Sequence, residues 1–332
     1  MLISVKVHFT LQQHHPNHNM AEITQSSSSI SFDPAKDIPS LTGRTILITG
    51  ANAGLGRASL VALAAHNPST IYLCSRSLPN GISTATEMLK SMPGVNIKVL
   101  ELDLSSFQSV KKAAAKVTEE AERVDILMLN AGIMGVPPGI TTEGYEIQFG
   151  TNYMGHALLT KLLLPLLEKT AREAGSDVRI VALTSHTHHY APGGGIIFES
   201  LKSTAEKMPG FARYGQSKLA NVLWVREMGR RYPMFFVAAV HPGVVSTGLL
   251  ARATDLGLPA GMSGAVNRSS VSVEEGVKNQ LWAATAKDVV SGVYYEPIGV
   301  AGNASEYGKD DGLARKLWEW TESELSASNL KL

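Results

Sequence analysis

Residues 45–56 read TILITGANAGLG, and this stretch decides the fold. The first five, Thr45–Thr49, form a short apolar and β-branched run typical of a buried parallel strand. The run ends at Gly50. Gly54 immediately precedes a helix predicted over Leu55–Ala65, and Gly56 lies in the first turn of that helix. Glycines permit a tight turn and let backbone N–H groups approach a phosphate, whose charge the helix N-terminus stabilises. The stretch therefore favours a nucleotide-binding strand–turn–helix unit over a glycine-rich turn without a ligand.

Strands and helices alternate along the rest of the chain. Further apolar runs predict strands over Thr70–Cys74, Asn96–Leu102, Val124–Leu129, Asp177–Thr184, Met234–Val240 and Gly292–Tyr295. Helices are predicted over Ser105–Ala121, Glu143–Thr170, Phe211–Arg231, Val273–Thr285 and Leu313–Leu325. This alternation favours a mostly parallel sheet with helices on both faces. We expect an α/β fold, a single Rossmann-type doubly wound domain over residues 37–332.

The amino-acid composition limits which binding partners and which cellular compartment we expect for the protein. The 332 residues include 30 basic and 29 acidic side chains without a basic stripe, so we expect neither nucleic acid nor an anionic membrane as a partner. No apolar run reaches the roughly 18 residues of a membrane-spanning helix. The single cysteine, Cys74, fits a reducing, cytoplasmic location. Residues 1–36 contain the polar run Gln25–Ser29 and no periodicity, so we expect a disordered tail whose deletion leaves folding intact.

The residues after the second strand predict the cofactor. An NAD site usually has an Asp or Glu about 20 residues past the glycines, where it binds the ribose hydroxyls. No acidic residue occurs between Gly50 and Glu87, and the second strand ends instead in Ser75-Arg76. An arginine fork suits the additional phosphate of NADP. We therefore expect NADP(H), bound by Arg76 with help from Arg57; the alternative is that Arg76 is an ordinary surface charge.

A second group of residues predicts acid–base chemistry. Tyr214 and Lys218 form a YxxxK pair, and residues i and i+4 share one face of a helix. A free tyrosine has a pKa of about 10, and a nearby ammonium is expected to lower it toward neutral pH. Ser185 ends the fifth strand, where a hydroxyl can stabilise negative charge on a substrate oxygen; Thr184 is the competing candidate. Asn152 lies inside a predicted helix although asparagine is a mediocre helix former, so it needs a further role.

Together these motifs resemble the short-chain dehydrogenase/reductase family. They occur in the order of that family: the TGxxxGxG turn at 49–56, NAG at 130–132, YxxxK at 214–218 and PGxxxT at 242–247. Within the family, YGQSKLANVL at 214–223 and LWEWT at 317–321 look most like retinol dehydrogenase-like members and the WW-domain-containing oxidoreductase. The resemblance covers residues 41 to about 327. It implies an oxidoreductase that moves a hydride between NADP(H) and an apolar carbonyl or alcohol substrate; the alternative is a catalytically silent NADP-binding scaffold.

The resemblance also implies roles for individual residues. Asn152, Ser185, Tyr214 and Lys218 would form the catalytic tetrad. Asp103 would accept a hydrogen bond from adenine, against the alternative of a charge at a helix N-terminus, while Val244 and Thr247 would support the nicotinamide end. The implied cofactor-binding set is Gly50, Asn52, Gly54, Leu55, Gly56, Arg76, Asp103, Asn130, Ala131, Gly132, Tyr214, Lys218, Val244 and Thr247.

Two segments are predicted to border the substrate pocket. His186, His188 and His189 follow the fifth strand, but no acidic or cysteine ligand lies near them in the sequence, so we expect no metal site there. Residues 245 to about 271 are rich in glycine and alanine and predict a substrate lid.

Overall fold

The computed structural model describes residues 29–245, 253–255, 257 and 270–327. Its main strands are β1 (Thr45–Thr49), β2 (Thr70–Ser75), β3 (Ile97–Glu101), β4 (Ile126–Leu129), β5 (Arg179–Leu183), β6 (Phe236–Val240) and β9 (Val293–Tyr295). They form one sheet in the order β3-β2-β1-β4-β5-β6-β9, and every neighbouring pair is parallel. Strands β7 (Val244–Val245) and β8 (Ser270–Val271) pair with each other outside this sheet. The expected Rossmann-type sheet is confirmed.

Nine α-helices are described, and they differ from the predicted helices in three main places, the first being a short helix within the predicted tail. They are α1 (Pro34–Asp37), α2 (Gly54–Ala64), α3 (Leu78–Ser91), α4 (Phe107–Glu120), α5 (Ile147–Phe149), α6 (Gly155–Ala171), α7 (Gly210–Arg231), α8 (Val273–Thr285) and α9 (Asp311–Ala327). Helix α3 was not predicted, although Ser77 caps it and Pro79 lies in its first turn, which are signals of a helix start. A π-helical turn at Gly150–Met154 interrupts the single helix predicted over Glu143–Thr170. None of the described helices is long and apolar enough to cross a membrane.

The sheet is buried on both faces. In β1, Leu47 packs into one hydrophobic cluster, and its neighbours Ile46 and Ile48 pack into the other. Successive strand side chains point to opposite faces, so a central strand covered by helices on both sides must be apolar throughout. Helices α4, α6 and α7 cover the first face, and α2, α3 and α8 cover the second.

The strand order creates the crevice that a ligand can use. Strands β1 and β4 are neighbours, and the chain runs outward from them in opposite directions, to β2 and β3 on one side and to β5 and β6 on the other. In doubly wound sheets, ligands bind outside the carboxyl ends of the strands at such a switch point. The turns that follow β1, β4 and β5 therefore converge on one edge of the sheet.

The predicted tail extends too far into the folded part of the chain. Phe32 is buried with 7% of its surface exposed, and it belongs to the cluster under α2 and α8. The amide of Ile30 donates to the carbonyl of Ile298 at 3.0 Å, and Asp33 caps α1. The boundary placed after residue 36 is thus wrong for residues 30–36. An isolated aromatic residue in a polar stretch carries no periodic signal, which is why the sequence did not reveal this packing.

Phe32→Ala is expected to lower the free energy of unfolding by up to about 3 kcal/mol, because it removes a buried ring and leaves a cavity. Deletion of residues 1–36 should be at least as damaging, contrary to the expectation from the sequence. Urea unfolding measures both effects. Ile82→Ala, at a side chain that is 50% exposed, is the control and should change stability by less than about 0.5 kcal/mol.

Candidate active site

The glycine turn after β1 has the shape of a phosphate cradle. Gly50 and Gly54 have φ angles of +66° and +52°, a region that favours glycine. A Cβ on Gly56 would lie 2.3 Å from the Gly50 carbonyl oxygen and 2.5 Å from Nδ2 of Asn130. No side chain caps the start of α2, where Ala53 is the N-cap residue. The turn therefore leaves backbone N–H groups and the helix dipole available to an anion.

Thr49 holds the turns after β1 and β4 together. Its hydroxyl oxygen accepts from the backbone N–H groups of Asn130 and Ala131, both at 2.9 Å. The Asn130 side chain donates to the Thr49 carbonyl at 2.8 Å. His156 Nδ1 donates to the Asn152 carbonyl at 3.0 Å, so its Nε2 accepts from the Thr49 hydroxyl at 2.9 Å. Burial lowers the pKa of His156 to about 4, which keeps this imidazole neutral.

Asn152 sits in the π-helical turn between α5 and α6. Its Oδ1 accepts from the Ile133 amide at 2.8 Å, and its Nδ2 donates to the Ile133 carbonyl and the Ser217 hydroxyl, both at 2.9 Å. Gly132 passes so close that a Cβ there would lie 3.1 Å from Oδ1 of Asn152 and 3.6 Å from Nζ of Lys218. π-Bulges within helices are frequent at functional sites. This one explains why an asparagine lies within a helical segment.

Tyr214 and Lys218 lie one turn apart on α7, and both are only 4% exposed. The Lys218 ammonium lies 5.5 Å from the centre of the phenol ring and donates to the Leu183 carbonyl at 2.9 Å. Burial lowers the pKa of Lys218 to about 7. Burial also raises the pKa of Tyr214, and a hydrogen bond with Ser185 opposes that effect only in part. The expected lowering of the phenol pKa is therefore wrong for this arrangement, because burial of the phenol outweighs its hydrogen bond with Ser185.

The structure distinguishes Ser185 from its neighbour Thr184. The Thr184 hydroxyl is buried and donates to the Lys218 carbonyl at 2.7 Å, so it supports helix α7. Ser185 contacts the Tyr214 phenol instead, and its hydroxyl also accepts from the Thr187 amide at 3.2 Å. The four predicted catalytic residues are thus close together. Ser185 contacts Tyr214, which lies beside Lys218 on α7. Asn152 is connected to them through Ser217 and Gly132.

Known proteins show the same fold and sequence pattern. The chain is 35% identical to human retinol dehydrogenase 13 over 292 residues, covering 84% of this chain and 83% of that protein. The chain therefore belongs to the short-chain dehydrogenase/reductase family. The model of short chain dehydrogenases matches residues 44–191, and an uncharacterised oxidoreductase of Schizosaccharomyces pombe is 34% identical over 86% of both proteins. A crystal structure of an uncharacterised protein from Mycobacterium paratuberculosis superimposes with a TM-score of 0.67 at 29% identity, covering 88% of this chain and 97% of that one.

Family members are oxidoreductases that use NAD(P)(H), and the end of β2 is where the sequence predicts the contact with an additional phosphate. Arg76 is exposed and makes no hydrogen bond or ion pair within the described part of the chain. Ser75 is buried, and its hydroxyl donates to the Ser77 carbonyl at 2.9 Å. Arg57 is already paired with Glu87 at 2.6 Å, so of the two arginines only Arg76 is fully available to a phosphate.

Three residues of the predicted cofactor-binding set remain to be compared with the structure. One oxygen of Asp103 accepts from the amide and the hydroxyl of Ser105, at 2.9 and 2.6 Å, in a turn before α4, whose N-cap residue is Ser106. Val244 lies in β7, paired with Ser270. Thr247 and most of the predicted lid lie outside the described residues.

Sequence reasoning missed three residues that build this site. Thr49, His156 and Ser217 connect the glycine turn, Asn152 and helix α7 through the hydrogen bonds given above. His156 follows Asn152 by four residues, so a polar pair on one helix face was a usable signal. Thr49 begins the TGxxxGxG motif, but the sequence alone assigned its side chain no role.

Proposed function

We propose that this protein transfers a hydride between NADP(H) and a carbonyl or alcohol group of a small, apolar substrate. The observation that carries the proposal is the buried Tyr214 phenol, which contacts Ser185 and lies one helical turn from the Lys218 ammonium. These groups lie at the carboxyl ends of β4 and β5, beside the glycine turn that follows β1. A proton donor and a hydroxyl beside a dinucleotide cradle suit reduction of a carbonyl.

The residues of the chain fit the cofactor. The crowded Gly56 and the uncapped start of α2 leave room and charge for a pyrophosphate, and Arg76 is placed to bind the additional phosphate of NADP. When bound, NADPH supplies the hydride. The residues that would hold it are Gly50, Asn52, Gly54, Leu55, Gly56, Arg76, Asp103, Asn130, Ala131, Gly132, Tyr214, Lys218, Val244 and Thr247.

The chemistry of the chain's own side chains follows from their protonation. Because burial raises the pKa of Tyr214, its phenol stays protonated at neutral pH and can give its proton to the substrate oxygen. Ser185 donates a hydrogen bond to the same oxygen and stabilises the negative charge that develops there. Lys218 and Asn152 connect the phenol to solvent and restore its proton. In the oxidative direction the phenolate would accept the proton of the alcohol, which requires a higher pH because the phenol pKa is raised.

Loss of NADPH absorbance in the presence of candidate carbonyl compounds tests the proposal. All-trans-retinal belongs in this set because relatives of the chain are named retinol dehydrogenases. The set also contains medium-chain aldehydes and aromatic ketones. Consumption of NADPH with any of them supports the proposal. Binding of NADPH without turnover of any aldehyde, ketone or matching alcohol would favour the silent scaffold.

Arg76→Asp is expected to weaken NADPH binding by about 10- to 100-fold, because a charge-assisted arginine–phosphate pair contributes about 1.5–3 kcal/mol. Affinity for NADH should stay or rise, since an acidic residue at this position suits ribose hydroxyls. Nicotinamide fluorescence titration measures both constants. Lys90→Asp makes the same change of charge at an exposed position on α3 and should have little effect. Equal NADPH affinity in the two variants would remove Arg76 from the site.

Ser185→Ala is expected to reduce kcat by about 10- to 1,000-fold, because it removes a donor aimed at developing negative charge. Thr184→Ser is the matched control, since it keeps the hydroxyl that donates to Lys218. Steady-state kinetics with saturating NADPH compares the two. Near-normal kcat in Ser185→Ala would remove the Ser185 hydroxyl from the proposed chemistry.

A further inference from the structure

A cluster of imidazoles and one carboxylate lies at the carboxyl ends of three strands. His186 and His189 come from the 3₁₀ turn at His186–Tyr190 that follows β5. His241 follows β6, and Glu296 follows β9. Because β6 lies between β5 and β9 in the sheet, these three chain ends meet at one edge. His186 and Glu296 are 110 residues apart in the sequence, so no local sequence motif predicts their contact.

The 3₁₀ turn determines which histidines face the carboxylate. A 3₁₀ helix has three residues per turn, so the side chains of His186 and His189 eclipse each other. Their rings stack with centroids 4.6 Å apart and planes inclined by 23°. His188 points inward instead, where Nδ1 donates to the Ser185 carbonyl at 2.7 Å and Nε2 accepts from the Ser305 amide at 2.9 Å. Both nitrogens of His188 are therefore used by the fold.

Glu296 presents its carboxylate to this pair, and one of its oxygens also accepts from the Tyr294 hydroxyl. His186 Nδ1 lies 3.0 Å from one carboxylate oxygen and 3.1 Å from the other. One ligand atom from each of His186, His189 and Glu296 lies within 4.8 Å of the others.

The orientation of His189 is that of a metal ligand. Its Nε2 lies 3.0 Å from the Asn303 carbonyl, which accepts only from a protonated nitrogen. Its Nδ1 therefore carries the lone pair in the neutral ring. Histidines that bind metal usually donate their second N–H to a carbonyl or carboxylate in this way, which fixes the tautomer and the ring orientation.

A third imidazole closes the inner side of the cluster. His241 is buried. Its Nε2 lies 3.8 Å from the Glu296 carboxylate, and its Nδ1 has no hydrogen-bond partner within the described part of the chain. No lysine or arginine is paired with the Glu296 carboxylate among the described residues.

We propose that His186, His189 and Glu296 bind a divalent transition-metal ion, with Zn²⁺ as the best fit, at the edge of the sheet beside Ser185. Two imidazole nitrogens and one carboxylate oxygen are ligands that Zn²⁺ commonly takes, at about 2.0–2.2 Å. The ion would replace the proton that His186 now shares with Glu296, and the three side chains would rotate to bring one ligand atom each to coordination distance. Three protein ligands leave one position open for water or a substrate oxygen. The site is independent of the proposed hydride transfer.

Zn²⁺ binding to the full-length protein, without a nicotinamide cofactor, tests the proposal. The chain also carries His8, His14, His15 and His18, which can bind metal on their own. The reference protein therefore has these four replaced by Gln. Competition with a fluorescent Zn²⁺ chelator gives the number of ions bound and the Kd. His186→Ala, His189→Ala and Glu296→Gln remove one ligand each. His66→Ala is the control, because its ring contacts the Pro34 carbonyl at 3.0 Å, away from this cluster.

We expect one equivalent of Zn²⁺ in the reference protein and in His66→Ala, and at least a tenfold weaker Kd in each of the three ligand variants. Mg²⁺, which prefers oxygen ligands, should not compete. Zn²⁺ should also raise the Tm of the reference protein but not that of Glu296→Gln, which is isosteric and keeps the fold. The proposal is overturned if the reference protein binds no Zn²⁺ at micromolar concentration, or if the double variant His186→Ala/His189→Ala still binds one equivalent with an unchanged Kd.

Discussion

Tyr214→Phe is expected to reduce turnover by about 100- to 10,000-fold while leaving NADPH affinity unchanged. The substitution removes only the phenolic oxygen, so the ring keeps its place on α7 and its contact with the Lys218 side chain. What is lost is the proton donor. Because burial raises the phenol pKa, that proton is present throughout the neutral range, and its removal should lower kcat equally at pH 6 and pH 8.

A second buried tyrosine supplies the control for this experiment. Tyr153 is next to Asn152, but its hydroxyl contacts Thr321 on α9 at 2.6 Å and does not face Ser185. Tyr153→Phe removes the same atom from an equally buried ring and should cost only about 1 kcal/mol of stability, without loss of turnover. Steady-state kinetics and a fluorescence titration with NADPH compare the two variants. Near-normal turnover in Tyr214→Phe would refute the proposed mechanism even though the family assignment would stand.

The features that were predictable from the sequence depend on local patterns. The alternation of strands and helices predicted the parallel sheet, because a strand buried on both faces is a continuous apolar run. The glycine turn was recognisable because its conformations exclude other residues, as the φ of Gly50 and the crowding at Gly56 show. The YxxxK spacing placed Tyr214 and Lys218 on one helix face, and the structure brings them together as expected.

What the sequence could not predict depends on contacts between distant segments. No acidic ligand lies near the three histidines in the sequence, so no metal site was expected there, yet Glu296 contacts His186 from 110 residues away. The prediction of a lowered pKa for Tyr214 was wrong for a related reason. A neighbouring charge is visible in a spacing of four residues, but burial of both groups is a property of the packed core.

Lys218 offers a case in which function and stability should move in opposite directions. Its folded pKa of about 7 is well below that of an exposed lysine, so the charged form is disfavoured in the folded protein. The penalty is absent above the unfolded pKa of about 10.4, grows as the pH falls toward 7, and is then fully present. Lys218→Met should therefore stabilise the protein at pH 7 by up to several kcal/mol and have a smaller effect at pH 9.5. The Leu183 carbonyl keeps a hydrogen bond from Asn221 Nδ2, at 3.2 Å, so it is not left without a donor.

The same substitution should remove most of the activity. Without the ammonium, the phenol loses its route to solvent and the cofactor loses a cationic partner, so we expect kcat to fall by about 100-fold or more and NADPH to bind about tenfold more weakly. Thermal unfolding at pH 7 and 9.5, kinetics and NADPH titration on one preparation give all the quantities. Lys161→Met, at a partly exposed lysine paired with Glu322, is the matched control and should leave kcat unchanged. A Lys218→Met protein that is both less stable and fully active would show that this lysine serves the fold and takes no part in the chemistry.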